Sequence, residues 1–137
     1  MIYLVDANIL SEPTKSTPSL PVLAWLQDNI REIAVDPIIL GEIRFGIHLR
    51  PEGSRKRRLE HWFVEGVETL RCLPWQATTG LRWAKLLADL RRKGFSMPVK
   101  DSMIAASALV HDLTVATHNV ADFRHAGVRL FDPYNQP

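Results

Sequence analysis

Cysteine is almost absent, with Cys72 the only one in 137 residues. One thiol excludes a disulfide within the chain and a cysteine-rich zinc site. In the apolar run LRCLPW it is expected to be a small core residue. Histidine offers no metal pair either, because no second histidine is spaced to join His118. Long apolar runs are missing. The opening MIYLVDANIL is apolar, but it has no basic segment and carries Asp6 in its middle. It is not expected to be a secretion signal, and no run is long enough to span a bilayer. The expected location is the cytoplasm. A strong charge of one sign is also lacking: the net charge of +2 is compatible with a polyanionic partner without requiring one. No internal repeat or low-complexity segment is present.

What is present is an ordinary globular composition, 46% hydrophobic and 23% charged. The length predicts a single domain, residues 1–137, able to bury a core without cross-links. Strand and helix signals alternate. Ile2 to Val5 predicts a buried strand, followed by the turn-rich SEPTKSTPS and a helix from about Pro18 to Asp28. Ile33 to Val35 predicts a second strand, and Pro37 opens a helix to about Leu49. The segment PEGSRKRRLEHWFVEGVETL begins with turn residues and continues as an amphipathic helix. Leu73 to Trp75 is a candidate short strand. Thr78 or Thr79 caps a helix reaching Lys93, with Gly94 after it. An alanine-rich helix from Val99 to His111 and strands at Leu113–Thr117 and Val128–Phe131 complete the chain. Strands separated by helices predict an α/β fold with a mostly parallel central sheet flanked by helices. Ligand sites in such sheets lie beyond the carboxyl ends of the strands.

Several carboxylates stand where simple packing does not ask for them. Asp6 directly follows the first strand; it is placed either to do chemistry at the strand's end or to cap the next helical turn. Glu42 lies in PIILGEIRFGIHL, a helix apolar nearly all round and so expected to be buried, on one stripe with Ile38, Phe45 and Leu49. A carboxylate there needs a metal ion or a cation, with Arg44, Arg31 or another arginine as the candidate partner. Asp101 opens KDSMIAASALV, where the helix dipole alone would favour an acid. Thr117, Asn119 and Asp122 cluster in THNVADF after the strand LTVAT, where Asn119 and Asp122 also suit turn formation. Together, four acidic groups around one crevice repel each other unless compensated. Oxygen ligands without histidine or cysteine suit magnesium or manganese. Two such ions about 4 Å apart can clamp the attacking water and the leaving oxygen of a phosphodiester.

These segments resemble a known family. MIYLVDANILSE is similar to the opening of PIN domains, ILGEIRFGI to their second motif, and DSMIAASALVHDLTVATHNVADF to their third and fourth run together. The ending VRLFDPYN resembles the family's Asn-Pro-Trp tail. Order and spacing fit nearly the whole chain, with the VapC- and FitB-like toxins of bacterial toxin–antitoxin pairs as the most similar branch. The resemblance implies a PIN-like three-layer fold and a magnesium-dependent endoribonuclease, with manganese as a substitute. Asp6, Glu42 and Asp101 match the family's metal-binding acids. The fourth position falls on Asp122 or on Asn119, because members differ there. Asn8 and Thr117 match supporting polar positions, whereas Ala7 departs from the usual Thr or Ser. A metal-activated water would cleave RNA to leave a 5′-phosphate. The expected partners are an RNA substrate, a cognate antitoxin and a second copy of the chain. Large apolar residues on the early helices, Trp25 and Phe45 among them, also predict that homodimer.

Other features are expected to be structural. The run Arg55-Lys56-Arg57-Arg58 reads as a solvated helix start, and Trp25, Trp62, Trp75 and Trp83 as core or interface residues. A dehalogenase-type phosphatase also begins strand-Asp, but it needs a second Asp where Asn8 stands. A receiver domain needs an acidic pair ahead of Asp6 and a late lysine after a strand, and neither is found. The non-enzymatic alternative is a PIN scaffold that binds RNA or protein without cutting it.

Overall fold

The computed structural model describes residues 1–136. Its first strand, β1 (Tyr3–Val5), is short because Asp6 stops it. The Asp6 carboxylate accepts from the Ala7 backbone N–H at 2.8 Å, capping the single turn α1 (Ala7–Leu10). Helix α2 (Leu20–Asp28) begins at Ser19 with Pro21 in its first turn, where a missing N–H costs nothing. Strand β2 (Ile33–Val35) ends at Asp36, whose side chain caps helix α3 (Pro37–His48). Helix α4 (Ser54–Glu65) leads to the edge strand β3 (Arg71–Cys72). The long helix α5 (Ala77–Arg92) packs along α6 (Val99–His111), whose Ala105, Ala106 and Ala108 are fully buried. Asp112, in the left-handed conformation at φ 56°, ends α6. Strand β4 (Thr114–Ala116), the turn α7 (Val120–Phe123) and strand β5 (Leu130–Phe131) follow.

The five strands run in the order β3-β2-β1-β4-β5, every pair parallel, flanked by helices. From β1 the chain winds outward through β2 to β3, then returns to the other side of β1 for β4 and β5. The reversal between β1 and β4 opens the crevice at which α/β sheets bind ligands. Leu4, Val5, Ile39, Ile104, Val115 and Phe123 are completely buried around the sheet. Each such side chain contributes roughly 1.5–3 kcal/mol. No helix among the described residues is long and apolar enough to cross a membrane.

Four expectations change. The last strand of the first half lies at Arg71–Cys72, because Ala34 and Val35 pair there, not at Leu73–Trp75. Cys72 is exposed, since an edge strand leaves one side open. Helix α5 starts earlier, from a cap at Gln76, with Thr79 accepting from the Gln76 N–H at 3.2 Å. Trp25 is only 6% exposed, packed against Tyr3 and Phe131 at ring distances of 4.9 and 5.5 Å, so it is unavailable to a second copy of the chain.

Candidate metal centre

Asp6 and Thr117 come together because the β1–β4 ladder continues past both strands. The Asp6 N–H donates to the Ala116 carbonyl at 2.9 Å, which sets Asp6 beside Thr117 at the reversal point. The Thr117 hydroxyl donates to Asp6 Oδ2 at 2.7 Å and accepts from the Asn119 N–H at 3.0 Å. Thr117 is fully buried and Asp6 nearly so. Burial pushes the Asp6 carboxyl above its ordinary range, as does the charge of Glu42, although the bonds from Thr117 and Ala7 work against them. Of the two sequence alternatives for Asp6, the capping one is seen directly: one oxygen caps α1, while the other accepts from Thr117 at the strand's end.

Asp101, buried in the first turn of α6, is pushed up to about 6, first by burial and then by Asp6, Asp122 and Glu42, with Lys100 opposing them. Those charges put all four predicted acids in one electrostatic neighbourhood. Asp122 is exposed on α7, and its N–H donates to the Asn119 carbonyl in a turn. Asn8 is half-buried, with Oδ1 buried and without a hydrogen-bond partner.

Glu42 differs from its sequence expectation. One side of α3 faces outward, with Phe45 64% and Leu49 68% exposed, so the helix is not buried all round. The Glu42 side chain is 29% exposed, and its partner is no arginine: Oε2 meets Lys100 Nζ at 2.7 Å. Its other oxygen, Oε1, is buried and unpartnered. Lys100 is the residue that sequence reasoning missed. Its only signal was its place immediately before Asp101, and a lysine there ordinarily faces water.

The donor chemistry fits a hard divalent cation: carboxylate and amide oxygens, two acids whose burial, with neighbouring negative charge, raises their affinity for protons, and free acceptor atoms on Glu42 and Asn8. Among the described residues, no three acidic, histidine or cysteine side chains already close on one point. Instead, Glu42 is held by Lys100. A groove of about 310 Å³ runs from Ala7, Asn8 and Glu42 past Arg50 to Trp62. A cavity of about 630 Å³ lies at the other ends of the strands, by Met1, Ile33 and Arg71, and is lined by none of the acids.

Two further buried acids lie outside this cluster. Glu12 is saturated by the Ser19 N–H, Lys15 and the Tyr134 hydroxyl, which fastens the chain's ending to the first helical turns. Asp36 accepts from the Ile39 N–H at 2.9 Å and the Ser107 hydroxyl at 2.6 Å. The basic run is a solvated helix start, with Arg55 donating to the Thr14 carbonyl and Lys56 paired with Glu52.

The family model described as PIN domain matches residues 3–128. The chain is 32% identical over 138 residues to Toxin FitB of Neisseria gonorrhoeae, covering 98% of this chain and 99% of that one. It is 31% identical over 138 residues to VapC ribonuclease Y4jK of Sinorhizobium fredii, covering 97% and 98%. It superposes on the crystal structure of FitAcB from Neisseria gonorrhoeae with a TM-score of 0.92 at 29% identity, over 98% of this chain and 100% of the other. A member of the VapBC family of toxin–antitoxin systems, VapBC-5 from Mycobacterium tuberculosis, matches with a TM-score of 0.62 at 26% identity, over 72% and 80%.

Proposed function

The chain belongs to the PIN-domain family, in its FitB- and VapC-like branch, and from that premise we propose that it is a magnesium-dependent endoribonuclease, the toxin of a toxin–antitoxin pair. What supports the chemistry is that Asp6 stands at the β1–β4 reversal and that the charges of Asp6, Asp122 and Glu42 all act on Asp101. The relatives' names, a ribonuclease and a toxin, supply the substrate class and the role.

Asp6, Asp101 and Glu42 would hold magnesium, or manganese in its place. When bound, such an ion supplies charge stabilisation at the phosphate and an acidified water. The chain's own residues do the positioning. Thr117 fixes one oxygen of Asp6 and is itself held by the Asn119 N–H. Asn8 offers a neutral acceptor beside the acids. Asp101, pushed up to about 6, loses its proton fully only near neutral pH or when a cation arrives, and the Asp6 carboxyl is raised in the same direction by burial. No side-chain nucleophile is required, and the expected product carries a 5′-phosphate. The exposed Phe45 and Leu49 face of α3 is the surface for a homodimer. A cognate antitoxin, in the cytoplasm, is the controlling partner.

The test is cleavage of RNA by the purified chain in magnesium and in EDTA, with end-labelling of the fragments. Cleavage that stops in EDTA and leaves 5′-phosphates supports the reading. RNA binding that is indifferent to EDTA, without cleavage in magnesium, would instead make the chain a non-catalytic PIN scaffold.

A further inference from the structure

Glu42 on α3 and Lys100 at the start of α6 are far apart in sequence, yet their charged ends lie 2.7 Å apart. An ordinary surface pair would be of little interest, since such pairs contribute about 0–1 kcal/mol. Three features set this one apart. Lys100 satisfies only one Glu42 oxygen and leaves Oε1 buried and unpartnered. Its charge acts on Asp6 and on Asp101 as well as on Glu42. And the three carboxylates that it faces are the ones assigned to hold a divalent ion.

We propose that Lys100 is the internal counter-cation of this cluster and sets its affinity for metal: the ammonium holds Glu42 while no ion is bound, and a divalent cation must displace it. The proposal rests on the metal-site reading above and concerns how that site is regulated. Its electrostatic sense is simple. Three carboxylates and one ammonium leave two negative charges, whereas without the ammonium three remain. An arriving divalent ion meets repulsion from Lys100 and must take Glu42 from it, so both effects weaken binding. In exchange, the metal-free protein avoids three uncompensated acids in a half-buried crevice. Lys100 is half-exposed, with 50% of its side chain accessible, so it can swing into solvent without disturbing the core.

The test is titration calorimetry with manganese on wild type, Lys100→Met, Lys100→Arg and Glu42→Gln, read as a dissociation constant with no RNA present. Lys100→Met keeps the aliphatic stem and removes the charge, so manganese should bind about five- to tenfold more tightly. Lys100→Arg should stay within about twofold of wild type. Adding Lys100→Met to Glu42→Gln should give a smaller gain, because the pair is already broken. Melting in EDTA should show Lys100→Met folded and slightly less stable than wild type. Equal affinity in wild type and Lys100→Met, or weaker binding in Lys100→Met, overturns the proposal and leaves the metal site standing. Absence of binding heat in every variant at millimolar manganese overturns the metal-site reading and this proposal with it.

Discussion

Asp6 and Asp36 are nearly the same residue locally and very different in their neighbourhood. Each follows a strand that pairs with the other's, each caps a helix, each accepts from a buried hydroxyl, and each has a carboxyl raised by burial. Asp36 is spent on structure: one oxygen takes the Ile39 N–H, the other the Ser107 hydroxyl, and α6 closes over it. Asp6, at the reversal of the sheet, feels the charges of Glu42 and Lys100 and acts in turn on Asp101. The capping chemistry of a strand-end aspartate therefore says little about function. On the proposed function, what separates the two is whether other charges act on the carboxylate, and strand order decides that.

The comparison sharpens most at Asp101, which shares the Asp6 neighbourhood but lies on a helix. Asp101→Asn should lower RNA cleavage by about a hundredfold or more while the metal-free protein melts higher than wild type. Near-normal cleavage by the purified variant in magnesium would remove Asp101 from the site. The reverse behaviour is expected at Asp36. Asp36→Ala orphans the Ile39 N–H and Ser107 hydroxyl and removes a helix cap, costing about 2–3 kcal/mol in urea denaturation. Cleavage per folded molecule should persist, and a loss of activity without a loss of stability would make Asp36 functional.

A smaller effect is expected in the pH dependence of stability. With Asp101 near 6 in the folded protein and 3.8 as its ordinary value, the folded state binds more protons than the unfolded chain between those two pH values. Stability should therefore fall as pH rises through that window and level off above it. In EDTA, the advantage of Asp101→Asn over wild type should grow from about pH 4 to about pH 7 by roughly 1–2 kcal/mol, after allowance for screening. An advantage independent of pH would mean that Asp101 is not under strain. The smallest expected change is at the rim. Two divalent ions bring four positive charges, and Asp6, Glu42 and Asp101 supply three negative ones. Asp122→Asn should raise the magnesium needed for half-maximal cleavage, and Asn119→Asp should leave it unchanged or lower it. Normal cleavage by Asp122→Asn at limiting magnesium would make Asp122 a turn residue and the centre a three-carboxylate one.

Much of this was legible from residue order. The central strands were plain because Leu4, Val5 and Ile33–Val35 are buried on all sides and apolar throughout. The edge strand was not: Leu73 is buried and drew attention, but the ladder closes at Arg71 and Cys72, which are exposed and lack an apolar pattern. The acids stood out as carboxylates in apolar settings. Lys100 did not, because a lysine at a helix start is unremarkable until the fold brings Glu42 to it. Asp36 passed unnoticed for the opposite reason, since Asp-Pro after a strand is an ordinary helix start. Phe45 and Trp25 both appeared available for an interface, but the aromatic cluster with Tyr3 and Phe131 claims only Trp25.

The central claim is that convergence at the sheet reversal, not capping at a strand's end, makes an aspartate functional here. The most direct measurement is the rate of RNA cleavage in magnesium by Asp6→Asn and Asp36→Asn side by side, with the urea stability of each. An asparagine keeps an acceptor for either cap, so both variants should fold. The account predicts that Asp6→Asn is folded and inactive, and that Asp36→Asn is less stable and active. Comparable activity in the two variants, or inactivity confined to Asp36→Asn, would contradict it.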